Sequence, residues 1–166
     1  MSEHPDLLAQ VFDPVAFVRG DAPWSGKVAA ARFARAAEQI GDLAATLDWR
    51  VEPERTPEGR AASRLRLEGV LPVVCPHCLA VAPWTVAIER LVVWYRSAAA
   101  IPEEELEEEN WDARVMDEPI TLLELLEEEL LLAWPQGAVH DACALPGPTQ
   151  VGEPLSPFSV LLQMER

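Results

Sequence analysis

The chain has 166 residues, 49% of them hydrophobic, so it can bury a core, which excludes global disorder and predicts one domain over residues 1–166. The formal net charge of −15 argues against a protein that is held on nucleic acid by bulk positive charge. The apolar runs are shorter than the roughly 20 residues of a membrane helix and the N-terminus lacks a signal-peptide pattern, so we expect a cytoplasmic protein with no membrane partner.

The N-terminal third predicts a turn, a strand and a helix. Asp13 and Pro14 form a dipeptide that is typical of turns, and residues 24–28 have the composition of a short strand. Over residues 30–43 the apolar side chains recur at spacings of three and four, which predicts an amphipathic helix that ends near Gly41.

Three later segments predict an antiparallel β-meander. Residues 47–51, 65–74 and 84–95 are rich in apolar side chains, mostly in alternation with polar ones. The last two segments flank the tetrapeptide Cys75-Pro76-His77-Cys78, which should therefore lie at the tip of a hairpin.

A strongly acidic stretch follows the last of these strands. Residues 103–129 carry a net charge of −12, so the rest of the chain carries only −3. The densest part contains six glutamates whose mutual repulsion predicts a mobile loop or a frayed helix, within an acidic loop expected over residues 97–119. They are Glu103, Glu104, Glu105, Glu107, Glu108 and Glu109. This loop either offers a surface to a basic partner or only keeps the protein soluble.

Residues 122–134 predict the second main helix, which begins with a capping box at Thr121 and Glu124 and ends before Pro135. The Pro- and Gly-rich residues 137–157 predict a loop, and residues 157–164 predict a short terminal helix. We therefore expect an α+β fold, in which an antiparallel β-meander with a Cys-x-x-Cys hairpin tip is packed by two main helices, with the acidic loop between them.

The helical wheel of residues 122–134 places one acidic residue on the apolar side. Glu124, Glu127 and Glu128 cluster on the side expected to face solvent, whereas Glu129 falls among leucines. A carboxylate on the core side needs a partner. Glu129 is therefore expected to be buried and paired with an arginine of the sheet, or else to lie at the edge of the apolar face or on a surface for a partner. The candidate arginines are Arg64, Arg66 and Arg90.

The three cysteines and one histidine form two closely spaced pairs, Cys75-x-x-Cys78 and His140-x-x-Cys143, with 61 residues between them. Zinc takes four nitrogen or sulfur ligands in a tetrahedron, and two such pairs can supply them. The pattern favours a zinc site. His77 could substitute as a ligand, but because it lies inside the turn it is expected to point away from the site. Two alternatives stay open: three ordinary thiols, or a redox Cys-x-x-Cys, although that motif normally opens a helix.

The sequence contains none of the common catalytic motifs that we sought. It has no Gly-rich phosphate loop, no G-x-S-x-G and no H-E-x-x-H. With three histidines in the chain and a dense, exposed run of glutamates, no catalytic residues can be singled out. We therefore expect a protein that is not an enzyme.

Several short motifs, in this order, resemble the YceD family, the large ribosomal RNA subunit accumulation proteins of bacteria. They are the strand–Cys-x-x-Cys–strand unit over residues 65–94, the leucine-rich helix that ends at Pro135, the segment Val139-His140-Asp141 with Cys143, and the ending Ser156-Pro157-Phe158-Ser159-Val160-Leu161. The resemblance covers nearly the whole chain. Members often read Cys-Gln-Arg-Cys where this chain reads Cys-Pro-His-Cys.

The resemblance implies a non-enzymatic ribosome-biogenesis factor that supports the synthesis, processing or accumulation of large-subunit (23S) ribosomal RNA. Because the chain is acidic, a basic ribosomal protein or a pre-ribosomal particle is the expected partner, and direct binding to rRNA is not favoured. Two alternatives are a thiol-redox or metal-handling protein that uses Cys75 and Cys78, and a zinc-stabilised interaction module unrelated to ribosomes.

Overall fold

A computed structural model describes residues 6–102, 111–117, 119–137, 139–141 and 143. These residues form two α-helices and five strands, with short 3-10 turns between them. In chain order the elements are α1 (Pro14–Gly20), β1 (Trp24–Ala29), β2 (Thr46–Arg55), β3 (Ala61–Val74), β4 (Val81–Tyr95), β5 (Trp111–Val115) and α2 (Leu122–Leu132). None of the described helices is both long enough and apolar enough to cross a bilayer.

The five strands form one mixed sheet in the order β1-β2-β3-β4-β5. Neighbouring strands from β1 to β4 are antiparallel, with Val51 opposite Leu65 and Leu67 opposite Ile88. β5 pairs with β4 in parallel. The predicted meander is therefore confirmed, and with the two helices the architecture is α+β.

The main hydrophobic core lies on one face of this sheet. On β2, Leu47, Trp49 and Val51 are buried and alternate with exposed neighbours, as expected for a strand that is covered on one side. Both helices and the segment that contains Phe33 pack against this face. A smaller cluster around Tyr95 covers part of the opposite face.

The helix predicted over residues 30–43 is wrong, because the segment contains only two 3-10 turns, Ala30–Arg32 and Ala37–Gln39. Phe33, Ala36 and Ile40 are buried as the pattern expects, whereas Leu43 is exposed, and several backbone donors bind groups outside the segment. The N–H of Arg35 donates to the Glu127 carboxylate at 2.7 Å, and the N–H of Ala30 donates to the Ala45 carbonyl at 2.8 Å. Long-range hydrogen bonds therefore replace the local ones that a helix would need.

The turn predicted at Asp13 is also wrong, since it is the beginning of α1. The Asp13 carboxylate accepts hydrogen bonds from the N–H groups of Val15 and Ala16, and Pro14 occupies the first turn. Aspartate followed by proline is a favourable helix start, because the aspartate caps free N–H groups and proline has none to satisfy.

The loop predicted over residues 97–119 is wrong at residues 111–115, which form β5. Trp111 lies opposite Leu91 and Val115 lies opposite Tyr95, so this segment extends the edge of the sheet. The six glutamates of residues 103–109 lie outside the described residues, as do the predicted terminal helix over 157–164 and most of the loop over 137–157.

The prediction of α2 is confirmed, with the end two residues earlier than expected. The Thr121 hydroxyl accepts from the N–H of Glu124, and the Glu124 carboxylate accepts from the N–H of Thr121, which is the predicted capping box. Beyond the helix, Trp134 is buried against the core.

Candidate metal centre

The first half of the candidate metal centre is the turn between β3 and β4. The N–H of Cys75 donates to the Ala80 carbonyl at 2.8 Å, and the N–H of Leu79 donates to the Cys75 carbonyl at 2.9 Å. Leu79 has a φ of 63°, an unusual conformation for a residue other than glycine, which lets the chain reverse directly after Cys78. Both thiols are thus brought to the same side of the turn.

The second half follows α2. The Trp134 ring packs edge-on against Trp84 of β4, with 5.3 Å between ring centroids, and Val139 also packs against the core. These contacts direct the chain leaving α2 toward the β3–β4 turn. His140 and Cys143 consequently lie beside Cys75 and Cys78, although the two pairs are far apart in sequence.

The four predicted ligands converge. One donor atom from each of Cys75, Cys78, His140 and Cys143 lies within 4.8 Å of the others. The Sγ atoms of Cys75 and Cys143 are 3.6 Å apart, and the Sγ of Cys78 is 3.1 Å from Nε2 of His140. This cluster includes every cysteine of the chain, and all three are free thiols.

The dimensions of the cluster suit a tetrahedral metal ion. With zinc–sulfur bonds of about 2.3 Å, two sulfur ligands of one ion lie about 3.8 Å apart. The observed separation of Cys75 and Cys143 is close to that value, and the cluster as a whole needs to contract only slightly. Three thiolates and one imidazole are the donor set of many zinc sites.

The electrostatics of the thiols also favour a cation. Burial favours the neutral thiol of Cys75, but backbone N–H groups of Val139, Cys78 and His77 and a contact with Cys143 lower its pKa to about 6. Burial and the neighbouring sulfurs of Cys78 and Cys75 raise the pKa of Cys143 to about 12. Repulsion between neighbouring thiolates therefore opposes the ionisation of all three sulfurs together, and a bound divalent cation would offset this repulsion.

The expectation that His77 points away from the site is wrong. Its Nδ1 lies 3.0 Å from the Sγ of Cys143, so the imidazole can donate a hydrogen bond to that sulfur. Such a contact orients a ligand and offsets part of its negative charge. The signal for this role was the position of His77 inside the Cys-x-x-Cys turn.

Glu129, the other singled-out residue, is 1% exposed and lies on the core side of α2, as predicted. Its Oε2 is 3.4 Å from Nε of Arg90, one of the three candidate partners, although neither carboxylate oxygen has a hydrogen-bond partner among the described residues. Burial and the nearby Asp112 raise the pKa of Glu129, against the opposing effects of Arg90 and Arg114. The pair is therefore a close ionic contact without hydrogen-bond geometry.

The predicted solvent side of α2 needs a correction. Glu127 is buried and binds Arg35 through both its guanidinium, at 3.0 Å, and its backbone N–H. Glu128 is half-buried and pairs with Arg114 of β5. The helical wheel alone missed these contacts because it takes no account of what packs along the flanks of the helix.

Comparisons with protein-family models, with curated proteins and with solved structures find no match to this chain.

Proposed function

We propose that this chain is a zinc-stabilised, non-enzymatic cytoplasmic factor that supports the accumulation of large-subunit ribosomal RNA. The observation that carries the proposal is the convergence of Cys75, Cys78, His140 and Cys143. These residues come from the two central motifs that resemble the YceD family. That two motifs far apart in sequence form one site supports treating them as parts of a single family pattern. The resemblance is the reason for proposing a ribosomal role, and the cluster is the reason for proposing a bound zinc ion.

The zinc site is proposed as structural, with the hairpin tip acting as a zinc knuckle. Four protein ligands complete a tetrahedron and leave no open position for a substrate or a water molecule, in contrast to catalytic zinc sites. The side chain of Cys75 is fully buried, which also limits access to the metal. Zinc bound there would cross-link residues 140–143 to the β3–β4 turn and so hold the chain after α2 against the sheet.

The first experiment measures the metal content of the purified chain by mass spectrometry. Wild-type protein should contain about one zinc ion per chain, as expected for a four-ligand site. His140→Gln and Cys143→Ser should each lose the metal, because a three-ligand site binds zinc far more weakly. His77→Gln is the matched histidine control and should retain it. Equal metal content in the two histidine variants, or none in wild type, would exclude the proposed site.

The acidic segment, Glu103 to Glu109, is the proposed docking surface for a basic ribosomal protein or an assembly particle. Its charge complements ribosomal proteins, which are strongly basic, and opposes naked rRNA. Solubility is the competing explanation for the same charges. The two explanations differ in whether the segment is needed for binding.

The second experiment is an affinity purification from bacterial lysate, with and without nuclease. Replacing the six glutamates with glutamine should reduce the recovery of large-subunit assembly material and the level of large-subunit rRNA. The control replaces three exposed acidic residues elsewhere, Asp21, Glu38 and Glu68, and should leave both unchanged. Unchanged recovery with the six-residue variant would show that the segment only keeps the protein soluble.

A thiol-redox protein is the second candidate, and one observation favours it. The pKa of Cys75 lies at about 6, in the range of reactive cysteines. The full burial of Cys75 opposes this reading, because a reactive thiol must meet its substrate. Turnover of a disulfide substrate by the zinc-free protein, lost in Cys78→Ser, would establish the redox function in place of the structural one.

A further inference from the structure

A cavity of about 530 Å³ lies where α1, the β2–β3 turn and the end of β4 meet, away from the candidate metal centre. Four of the chain's twelve arginines line it, whereas no aspartate or glutamate among the described residues does. The four are Arg19, Arg55, Arg60 and Arg96. In a protein with a net charge of −15, this is a local concentration of positive charge.

Two of the four cavity arginines differ in their ion pairing from those on the neighbouring surface of the sheet. Arg64 and Arg66, on the neighbouring surface of β3, each pair with two glutamates. Arg19 and Arg96, in contrast, form no ion pair with any residue that the structure describes. Clustered cations repel one another, so a cavity that brings Arg19 and Arg96 together with no carboxylate in its described lining is suited to an anion from outside.

Tyr95 provides a second, independent indication of a ligand. It lines the cavity and is 3% exposed, yet its hydroxyl has no hydrogen-bond partner among the described residues. Buried hydroxyl groups are nearly always paired, so an unpaired one at a cavity suggests a missing acceptor or donor. The guanidinium of Arg60 lies over the Tyr95 ring, 5.2 Å from its centroid, and also lies 3.8 Å from Glu58.

We propose that this cavity binds the phosphate group of a nucleotide, presented either by a free mononucleotide or by single-stranded RNA. Planar guanidinium groups bind phosphate oxygens in pairs, and Arg19, Arg55 and Arg96 line the cavity from three different parts of the fold. Arginine and aromatic faces also stack on bases, which fits the Arg60–Tyr95 pair. The volume lies within the range of small-molecule sites, about 300–1,000 Å³.

Nucleotide binding at this cavity does not require the metal centre or the acidic segment. A failure to bind nucleotide can therefore be distinguished from a failure of the proposed zinc site or of the proposed docking surface. The experiment uses full-length, zinc-loaded protein and two probes, AMP measured by calorimetry and a labelled eight-nucleotide single-stranded RNA measured by fluorescence anisotropy. At least one probe should bind saturably and be displaced by inorganic phosphate. Saturable AMP binding identifies a free nucleotide as a ligand, and binding of the RNA alone identifies a strand.

The test variant is Arg19→Gln/Arg96→Gln, which should weaken binding of the active probe by about tenfold or more, since one strong phosphate contact contributes about that factor. The matched control is Lys27→Gln/Arg50→Gln, which removes the same charge from exposed ion pairs outside the cavity and should bind normally. Binding of neither probe by wild type, or equal binding by the two double variants, would overturn the proposal.

A separate variant, Tyr95→Phe, distinguishes a ligand contact from a structural role. It removes the unpaired hydroxyl and keeps the ring, so the thermal stability of the free protein should stay the same or rise. Binding of the active probe should nevertheless fall by about tenfold, the effect of one lost hydrogen bond to a charged group. A fall in stability together with unchanged binding would contradict the assignment of this hydroxyl to the ligand.

Discussion

Glu129 shows how a single side chain can work against the stability of the fold that buries it. Its carboxylate faces Arg90 of β4 and both Asp112 and Arg114 of β5, and it is 1% exposed. Because burial and Asp112 raise its pKa, the folded protein favours the neutral carboxyl more than the unfolded chain does. Ionised Glu129 therefore costs stability even with an arginine beside it.

The burial of this residue predicts effects of different size for two substitutions. Glu129→Ala leaves a cavity in the core and an unmatched Arg90, so the free energy of unfolding should fall by about 2–4 kcal/mol in urea titrations. Glu129→Gln keeps the shape and removes the charge, so it should cost much less. Glu38→Ala, at an exposed position, is the control and should change stability by less than about 0.5 kcal/mol. Equal losses of unfolding free energy for Glu38→Ala and Glu129→Ala would show that the burial of Glu129 does not determine its contribution to stability.

The stability difference between wild type and Glu129→Gln should also depend on pH. A carboxyl with a raised folded-state pKa contributes fully to stability below its ordinary value of 4.5, and this contribution is lost as the pH rises through the folded-state pKa. The amide does not titrate. Glu129→Gln should therefore gain stability relative to wild type as the pH rises from about 4.5 toward neutrality, and a constant difference would contradict the raised pKa.

At the scale of the elements, α2 depends on its first turn. The capping box at Thr121 satisfies two backbone N–H groups that would otherwise lack partners at the start of the helix. The same turn presents Leu122, Leu125 and Leu126 to the core, all of them fully buried. Loss of the cap should therefore lower the free energy of global unfolding and not only increase local fraying of the helix.

Thr121→Ala should lower the free energy of unfolding by about 1 kcal/mol, the usual cost of a lost side-chain cap. Thr121→Ser retains a hydroxyl that can accept from the N–H of Glu124, so it is the matched control and should remain close to wild type. Urea-induced unfolding followed by tryptophan fluorescence measures both. The same loss in both variants would assign the effect to the methyl group and not to the cap.

β3 requires a glycine at one position for two physical reasons. Gly69 has a φ of 146°, in the region that side chains disfavour, and a Cβ atom there would lie 2.8 Å from the Leu47 side chain. The close approach of β2 and β3 at this point depends on the missing side chain.

At the scale of the whole molecule, positive and negative charge are unevenly distributed along the chain. The net charge of −15 comes mostly from residues 103–129, whereas four arginines gather at the cavity beside Tyr95. Long-range repulsion of this kind weakens encounters with naked rRNA, while short-range contacts still operate once a phosphate is held in place. The proposed acidic docking surface and the proposed phosphate site are therefore compatible with each other.

The proposed zinc should contribute to the stability of the whole chain, because it joins two pairs of ligands that have 61 residues between them in sequence. At free zinc about a thousandfold above the dissociation constant, binding stabilises the fold by about 4 kcal/mol. For a chain of this size that corresponds to a rise in Tm of about 10 °C, measured by scanning calorimetry with zinc and with EDTA. Cys143→Ser should show no effect of EDTA, and an unchanged wild-type Tm after verified metal loss would contradict the structural role.

The sequence by itself determined those elements whose signals are local. Alternation predicted β2, β3 and β4 because successive side chains of a strand face opposite sides of the sheet. The capping box and Pro135 predicted α2 because caps and proline act on the neighbouring backbone. The spacing of the Cys and His pairs predicted which residues would converge, because few donor sets suit a tetrahedral ion.

Only the tertiary structure decided the features that depend on distant parts of the chain. Residues 30–43 have a helical pattern, yet hydrogen bonds to Glu127 and Ala45 hold their backbone in another form. Residues 111–115 form a strand because the edge of β4 offers unpaired backbone groups, which no local pattern reveals. The arginine cavity joins side chains from α1, the β2–β3 turn and the end of β4, and a sequence read in order cannot show that they meet.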